Sequence, residues 1–185
     1  MSQPLISCIM PTYNRRHFVP KAIEYFLRQD YPEKELVILD DGEDSIADLI
    51  PADPRIRYFR ETQRRTTGAK RNWLCNHVNG EIIAHWDDDD WHAPNRLSCQ
   101  ITKLIETGSE VCGLSQMLFY EPTSGITWLY RYLDRSRPWL AGGSLLYTYG
   151  FWQRTPFPDI QIGEDTRFLW SRELKHLAIP SDYRF

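Results

Sequence analysis

The sequence predicts an α/β domain on a mixed central sheet, parallel in its amino-terminal half, with helices on both faces. Three observations predict it. Short apolar runs without alternation, LISCIM (5–10), ELVILD (35–40) and EIIAHW (81–86), are separated by segments whose apolar residues recur three or four apart. Unbroken apolar strands alternating with helices belong to parallel sheets covered on both sides. In such sheets ligands sit beyond the carboxyl ends of the strands, and the residues just after these strands are polar: PTYNR, then Asp40-Asp41-Gly42, then four successive Asp, 87–90.

The first strand, 5–10, ends at Pro11. A helix is expected over 16–28, from the pairs Phe18/Val19, Ala22/Ile23 and Phe26/Leu27. The second strand is 35–40, and IRYF (56–59) is a short third one. Residues 66–78 read as a helix, with Ala69 to Trp73 and Leu74 to Val78 four apart. The fourth strand, 81–86, runs into the acidic run. A helix from about Asn95 carries Leu97, Ile101, Leu104 and Ile105 on one face. Beyond it the pattern loosens. A hairpin of 110–120 and 126–133 is expected around the turn Pro122–Gly125, a strand over 139–147, and a helix from near Gly163 to about Leu174.

With 185 residues the chain is the size of one domain, enough to bury roughly 70% of its unfolded surface. We therefore expect a single domain, 1–185. About 1–95 would be the nucleotide half and about 96–185 the acceptor half. Net charge is −3, which excludes a broad basic field for nucleic acid. No run of about 18 apolar residues is present, so no transmembrane segment is expected. The start, MSQPLISCIM, lacks a basic region and a long apolar stretch, so it does not read as a signal peptide. Four cysteines without a C-x-x-C pair read as buried thiols in a reducing compartment. The expected location is cytoplasmic, free or peripheral at the inner face of a membrane.

The most informative segment is HWDDDDWHAPNRL, 85–97. Four adjacent carboxylates repel one another unless a cation neutralises them. Hard cations such as Mg²⁺ or Mn²⁺ take oxygen ligands, commonly one or two carboxylates plus substrate phosphates. A solvated loop is the plain alternative; the position after a central strand favours a metal–diphosphate site. In VILDDGEDS, Asp40 or Asp41 is a candidate acceptor for ribose hydroxyls or a base N–H. In TGAKRNWL, Lys70 and Arg71 lie at a helix start, where free N–H groups help to hold phosphate. Asn72 points elsewhere and reads as structural. In QIGEDTRFLW, Glu164 and Asp165 are either helix-dipole partners or a site for a general base, and the residues alone leave both open. Trp86 reads as core; Trp91 and His92 are candidates for a pocket wall. The scattered histidines carry no metal spacing.

Taken together these segments resemble the family 2 glycosyltransferases, which have the GT-A fold. The P-x-Y-N-R stretch is Pro11–Arg15, and D-D-G is Asp40–Gly42, with Glu43 where Ser is usual. The helix start before R-N is Gly68–Asn72. D-x-D-D-x-x-x-P is Asp87, Asp89, Asp90 and Pro94, and the late E-D pair is Glu164-Asp165. The resemblance implies nucleotide-sugar contacts from Pro11, Thr12, Tyr13, Asn14, Arg15, Asp40, Asp41, Lys70, Arg71, Asp87 and Asp88. It implies metal ligation by Asp89, with Mn²⁺ or Mg²⁺ on the diphosphate. Asp165 would be the catalytic base and Glu164 a supporting acid. The reaction implied is inverting transfer from a nucleotide-diphosphate sugar, a UDP-sugar first, to a glycan, lipid-linked or other hydroxyl acceptor. Many members continue further, so an end at Phe185, just after what looks like a last strand, implies a minimal enzyme or a fragment. Two other readings are a sugar nucleotidyltransferase and a binding module without catalysis. Against the first, PTYNR is not the glycine-rich basic loop a triphosphate needs.

Overall fold

In the computed structural model the structure describes residues 3–133 and 137–171. Among the described residues the central sheet has six strands, in the order β3 (Ile56–Arg60), β2 (Lys34–Asp40), β1 (Ile6–Thr12), β4 (Ile82–His85), β8 (Leu146–Thr148) and β5 (Val111–Cys112). Strand β1 pairs in parallel with β2 on one side and β4 on the other; β2 pairs in parallel with β3. On the far side β8 runs antiparallel to both β4 and β5. The sheet is therefore mixed, with its parallel part amino-terminal. A separate hairpin, β6 (Gln116–Glu121) with β7 (Ile126–Arg131), stands off it.

Strand alternation divides the core in two. Ile6, Cys8 and Met10 with Leu36, Ile38, Ile82 and Ala84 pack with residues of α1 (Val19–Leu27) and α3 (Arg96–Thr107). Ile9, Val37, Leu39 and Ile83 pack with Leu74 and Cys75 of α2 (Thr67–Cys75), Phe151 of α4 (Tyr149–Arg154) and Phe168 of α5 (Glu164–Trp170). A period of two on strands buried on both faces gives one core layer per face. Losing a ring such as Phe26 or Phe168, each with no exposed surface, costs about 3–5 kcal/mol.

The helices start and stop for local reasons. Thr66 Oγ1 accepts from Ala69 N at 3.1 Å and caps α2. Pro20 opens α1, where a missing N–H costs nothing. Gly108, at φ 60°, closes α3 with its N–H on the Ile105 carbonyl.

Three expectations change. Residues 110–120 do not form one strand. Val111–Cys112 joins the main sheet and Gln116–Glu121 the hairpin, with Gly113 between them packed against Leu140 and Leu145. Residues 139–147 are not one strand either. Gly142–Ser144 forms a single 3-10 turn, held by Ser144 Oγ donating to the Ala141 carbonyl at 2.7 Å, and only Leu146–Thr148 is extended. Ile105 is exposed rather than on the buried face of α3, because Leu97, Ile101 and Leu104 already fill it. Cys99 is half-buried, while Cys8, Cys75 and Cys112 are buried as expected. The expected last strand and the end of the final helix lie outside the described residues. Among the described residues no helix is long and apolar enough to cross a membrane.

Candidate active site

The parallel strands β1, β2 and β4 end together, and their loops meet over the sheet's carboxyl edge. Asn14 turns the first loop at φ 53°, and its Oδ1 accepts from Glu43 N at 2.7 Å. Gly42 is required by that contact: a Cβ there would lie 2.6 Å from Asn14 N. Glu43, at the position where the family has Ser, uses its backbone in this contact.

The acids after β2 are buried and fully engaged. Asp40 accepts from Gly42 N at 2.9 Å, Tyr58 Oη at 2.9 Å and Ile46 N at 3.3 Å, and pairs with Arg60 at 3.3 Å. Asp41 accepts from Arg65 N at 2.7 Å and forms an ion pair with Lys70. Lys70 Nζ also donates to the Thr12 carbonyl at 2.9 Å and lies 5.5 Å from the centre of the Tyr13 ring. Burial lowers the Lys70 pKa, and Asp41 only partly offsets it. Neither Asp40 nor Asp41 lines either of the two cavities at this edge. Asp41 pairs with Lys70, which lines the smaller cavity, and Asp40 accepts from Gly42 N beside the Asn14 turn.

The acids after β4 are arranged differently. Asp87 takes Arg71 Nη2 at 3.1 Å, and Asp88 accepts from Thr12 Oγ1 at 2.6 Å. Asp89, 41% exposed, pairs with Arg15 at 2.6 Å. Asp90 lies against Gly143, where a Cβ would fall 2.2 Å from Asp90 Oδ2 and 3.2 Å from Asp87 Oδ2. Burial, then the neighbouring carboxylates, push Asp88 up to about 6 and Asp90 up to about 7. From behind, Gln29 Nε2 and Arg28 Nη2 donate to the carbonyls of Ala93 and His92, and Arg96 Nη2 donates to that of Gly143 at 2.9 Å.

Arg71 joins these acids to the late pair. It is 4% exposed and bridges Asp87 and Glu164, the latter at 3.1 Å from Nε. Burial would lower its pKa, but Asp87 and Glu164 together raise it. Its Nη1 is buried, with no hydrogen-bond partner among the described residues. Glu164 is buried, which raises its pKa against the pull of Arg71. Asp165, half-buried, lies against Gly142, where a Cβ would fall 1.9 Å from its Oδ2. Consecutive glycines therefore floor Asp165 on one side and Asp87 with Asp90 on the other. His85 fixes that floor. Burial and the Arg71 charge hold its ring neutral, so Nδ1 donates to the Gly142 carbonyl at 2.7 Å and Nε2 accepts from Tyr147 Oη at 3.3 Å.

Two cavities meet here. One, of about 250 Å³, is lined by Pro11, Thr12, Tyr13 and Arg15, by Lys70, and by Asp87–Asp89. The other, of about 540 Å³, is lined by Asp165, Glu164 and Asp90 and by the rings of Phe119, Tyr130 and Trp139. They share Thr67, Arg71, Asp87 and Gln161. The sequence-selected residues from β1, α2, β4 and α5 thus converge, while Asp40 and Asp41 stand behind them.

Lys70 and Arg71 line the smaller cavity and also pair with protein acids, and part of the start of α2 is used: Gly68 N donates to the Ile160 carbonyl at 3.1 Å and Ala69 N to Thr66. His92 is not a pocket residue; it is buried against Trp86, 4.1 Å between ring centres, and contacts Arg96. Asn72 is structural as expected, bonding Phe157 and Trp152. Sequence reasoning missed His85, Arg96, Gln161 and the aromatic wall. It also missed Gly142-Gly143, for which the adjacent glycines in WLAGGS were the available signal.

The site holds oxygen donors suited to a hard cation. Asp87 and Asp89 both keep exposed carboxylate surface in the smaller cavity, and no cage of three or more ligands exists among the described residues. That set fits an ion completed by substrate phosphates.

Comparison with known proteins agrees with this geometry. The chain is 42% identical over 102 residues to a protein described as a putative colanic acid biosynthesis glycosyl transferase, WcaA, of Escherichia coli K12, covering 52% of this chain and 37% of that one. It is 30% identical over 109 residues to the E. coli UDP-Glc:alpha-D-GlcNAc-diphosphoundecaprenol beta-1,3-glucosyltransferase WfgD, covering 57% and 43%. The chain thus spans less than half the length of these curated relatives. The Staphylococcus aureus TarS structure with UDP-GlcNAc superposes with a TM-score of 0.77 at 19% identity, over 96% of this chain and 56% of that one. The Pyrobaculum calidifontis mannosyltransferase PcManGT, with GDP-Man and Mn²⁺, superposes at 0.74 and 19%, over 99% and 56%. These neighbours have the GT-A fold, as this chain does. The sequence model of Glycosyl transferase family 2 matches residues 7–171, and the chain belongs to that family.

Proposed function

We propose that the chain transfers a sugar from a UDP-sugar to a hydroxyl of a saccharide or lipid-linked acceptor, with inversion at the anomeric carbon. One observation carries this reading. A polar cavity lined by three cationic side chains, Arg15, Lys70 and Arg71, shares Arg71 and Asp87 with a second cavity that holds an independent carboxylate, Asp165. A displacement reaction needs the leaving group and the base on opposite sides of the reacting carbon, and two cavities that meet at shared residues support that arrangement. The relatives named for transfer onto diphosphoundecaprenol-linked sugars, and neighbours holding UDP or UDP-GlcNAc, support the donor and acceptor classes. The same names support a peripheral position at a membrane face.

In this reading the nucleoside lies along Pro11–Tyr13, on a loop that Asp40 and Asp41 hold in place. Lys70 and Arg71 face the diphosphate, and Arg71 Nη1 has a hydrogen bond to give. Fixed cations aimed where charge develops stabilise the departing diphosphate. Asp89, with Asp87, would hold Mn²⁺ or Mg²⁺, which supplies further charge neutralisation there. As the acceptor oxygen bonds to the anomeric carbon, the bond to the diphosphate oxygen breaks and the acceptor proton passes to Asp165. Glu164, pinned by Arg71, keeps Asp165 in position.

The test is release of the matching nucleoside diphosphate from a panel of UDP-, GDP- and dTDP-sugars with Mn²⁺ and simple saccharide acceptors. Asp165→Asn should lower turnover by about 10²–10⁴ while UDP affinity stays within about twofold. Near-parental turnover removes Asp165 from the mechanism. Turnover of a nucleoside triphosphate with a sugar phosphate instead identifies a nucleotidyltransferase.

A further inference from the structure

Accepting the transferase reading, we infer that the inner face of the β6–β7 hairpin is a stacking platform for an acceptor saccharide at least two sugars long.

Directly paired residues of an antiparallel ladder share a face. Met117 pairs with Tyr130, Phe119 with Trp128 and Glu121 with Ile126, so these six share one face. Met117, Phe119 and Tyr130 line the larger cavity with Asp165. Tyr130 lies edge-on to Trp139, 5.2 Å between centres, and Phe119 edge-on to Tyr130 at 6.2 Å. The stripe then continues beyond the cavity to Trp128, which is 50% exposed. Two residues along a strand cover about 7 Å, so the stripe offers a second ring beyond the one at Tyr130.

The occupant follows from the rest of the lining. The same cavity is lined by Asp90, Asp165, Gln161 and Thr166. A molecule in a cavity lined both by aromatic rings and by carboxylates, an amide and a hydroxyl needs apolar faces and hydroxyl-bearing edges. A pyranose has both. An acyl chain would leave those polar groups desolvated without partners. The outer face, with Leu118 and Tyr120 also exposed, looks away from the base and serves as an internal control.

The experiment is calorimetry on the full chain, with methyl glycosides of glucose, N-acetylglucosamine and galactose, their disaccharides, and UDP with Mn²⁺ in parallel. Disaccharides should bind more tightly than the matching monosaccharides. Trp128→Ala should weaken disaccharide binding by about three- to tenfold and leave monosaccharide binding unchanged. Phe119→Ala should weaken both, Tyr120→Ala neither, and all three should bind UDP as the parent does. The platform is overturned if no saccharide binds, or if Tyr120→Ala weakens binding as much as Trp128→Ala. It is also overturned if Trp128→Ala abolishes capture on phosphatidylglycerol vesicles with saccharide affinity intact. A parent that binds UDP but no saccharide refutes the platform alone; one that binds saccharides but not UDP refutes the nucleotide reading alone.

Discussion

Strands β2 and β4 flank β1, and each ends in adjacent acids, yet the two acidic segments are built in opposite ways. Asp40 and Asp41 are held by groups from their own loop, from β3, from the segment after it and from α2. Asp87–Asp90 have fewer partners, and two of the four are pushed well above the usual carboxylate range. A segment whose charges are matched inside the fold is a scaffold. One whose charges are only partly matched can be stabilised by what it binds, and in the proposed function a cation with a diphosphate would supply the rest. The identical residue type in nearly identical topological positions therefore does different work, and the difference lies in the partners that other segments deliver.

The largest effect should come from the matched pair. Asp41→Asn leaves the buried Lys70 ammonium without its partner and should cost about 3–5 kcal/mol in denaturant unfolding. Asp88→Asn relieves repulsion and keeps an acceptor for Thr12 Oγ1, so it should be neutral or stabilising. Equal losses in the two variants would erase the distinction between the segments.

A smaller effect should appear with pH. Asp88 and Asp90 hold more protons folded than unfolded between 3.8 and about 6 or 7. Stability should therefore fall as pH rises through that window, seen as a falling Tm. Glu35 gives the opposite sign. Burial would raise it, but hydrogen bonds from Ser7, Asn79 and Arg57 hold it below 4.5, so its contribution is present above that value and lost as pH falls. Thermal melts with and without Mn²⁺ check both: the ion should flatten the decline between about pH 4 and 7 and leave the acid limb unchanged. A decline that Mn²⁺ does not alter would count against cation binding at the β4 acids.

Much of the amino-terminal half was legible because its signals are local. Strands buried on both faces read as unbroken apolar runs, and a helix start such as Thr66 carries its own cap. The converging segments Pro11–Arg15, Lys70–Arg71, Asp87–Asp89 and Glu164–Asp165 were visible as motifs. Their partners were not. That Asp40 is used up by Tyr58 and Arg60, and Arg71 shared between Asp87 and Glu164, depends on contacts between residues 16 to 93 positions apart. The Gly142–Ser144 turn was missed for the same reason. In sequence it continues an apolar run, and only His85, Asp165 and Asp90, pressed against it, show why it cannot be a strand.

The central claim is that a nucleotide diphosphate and a divalent ion sit together on the acids after β4. Titration calorimetry with UDP, in Mn²⁺ and in chelator, tests it most directly on the parent and on Asp89→Asn. The account predicts at least about tenfold weaker binding in chelator, equivalent to about 1.4 kcal/mol, and a similar loss for Asp89→Asn in Mn²⁺. Equal UDP affinity in Mn²⁺ and in chelator would contradict it.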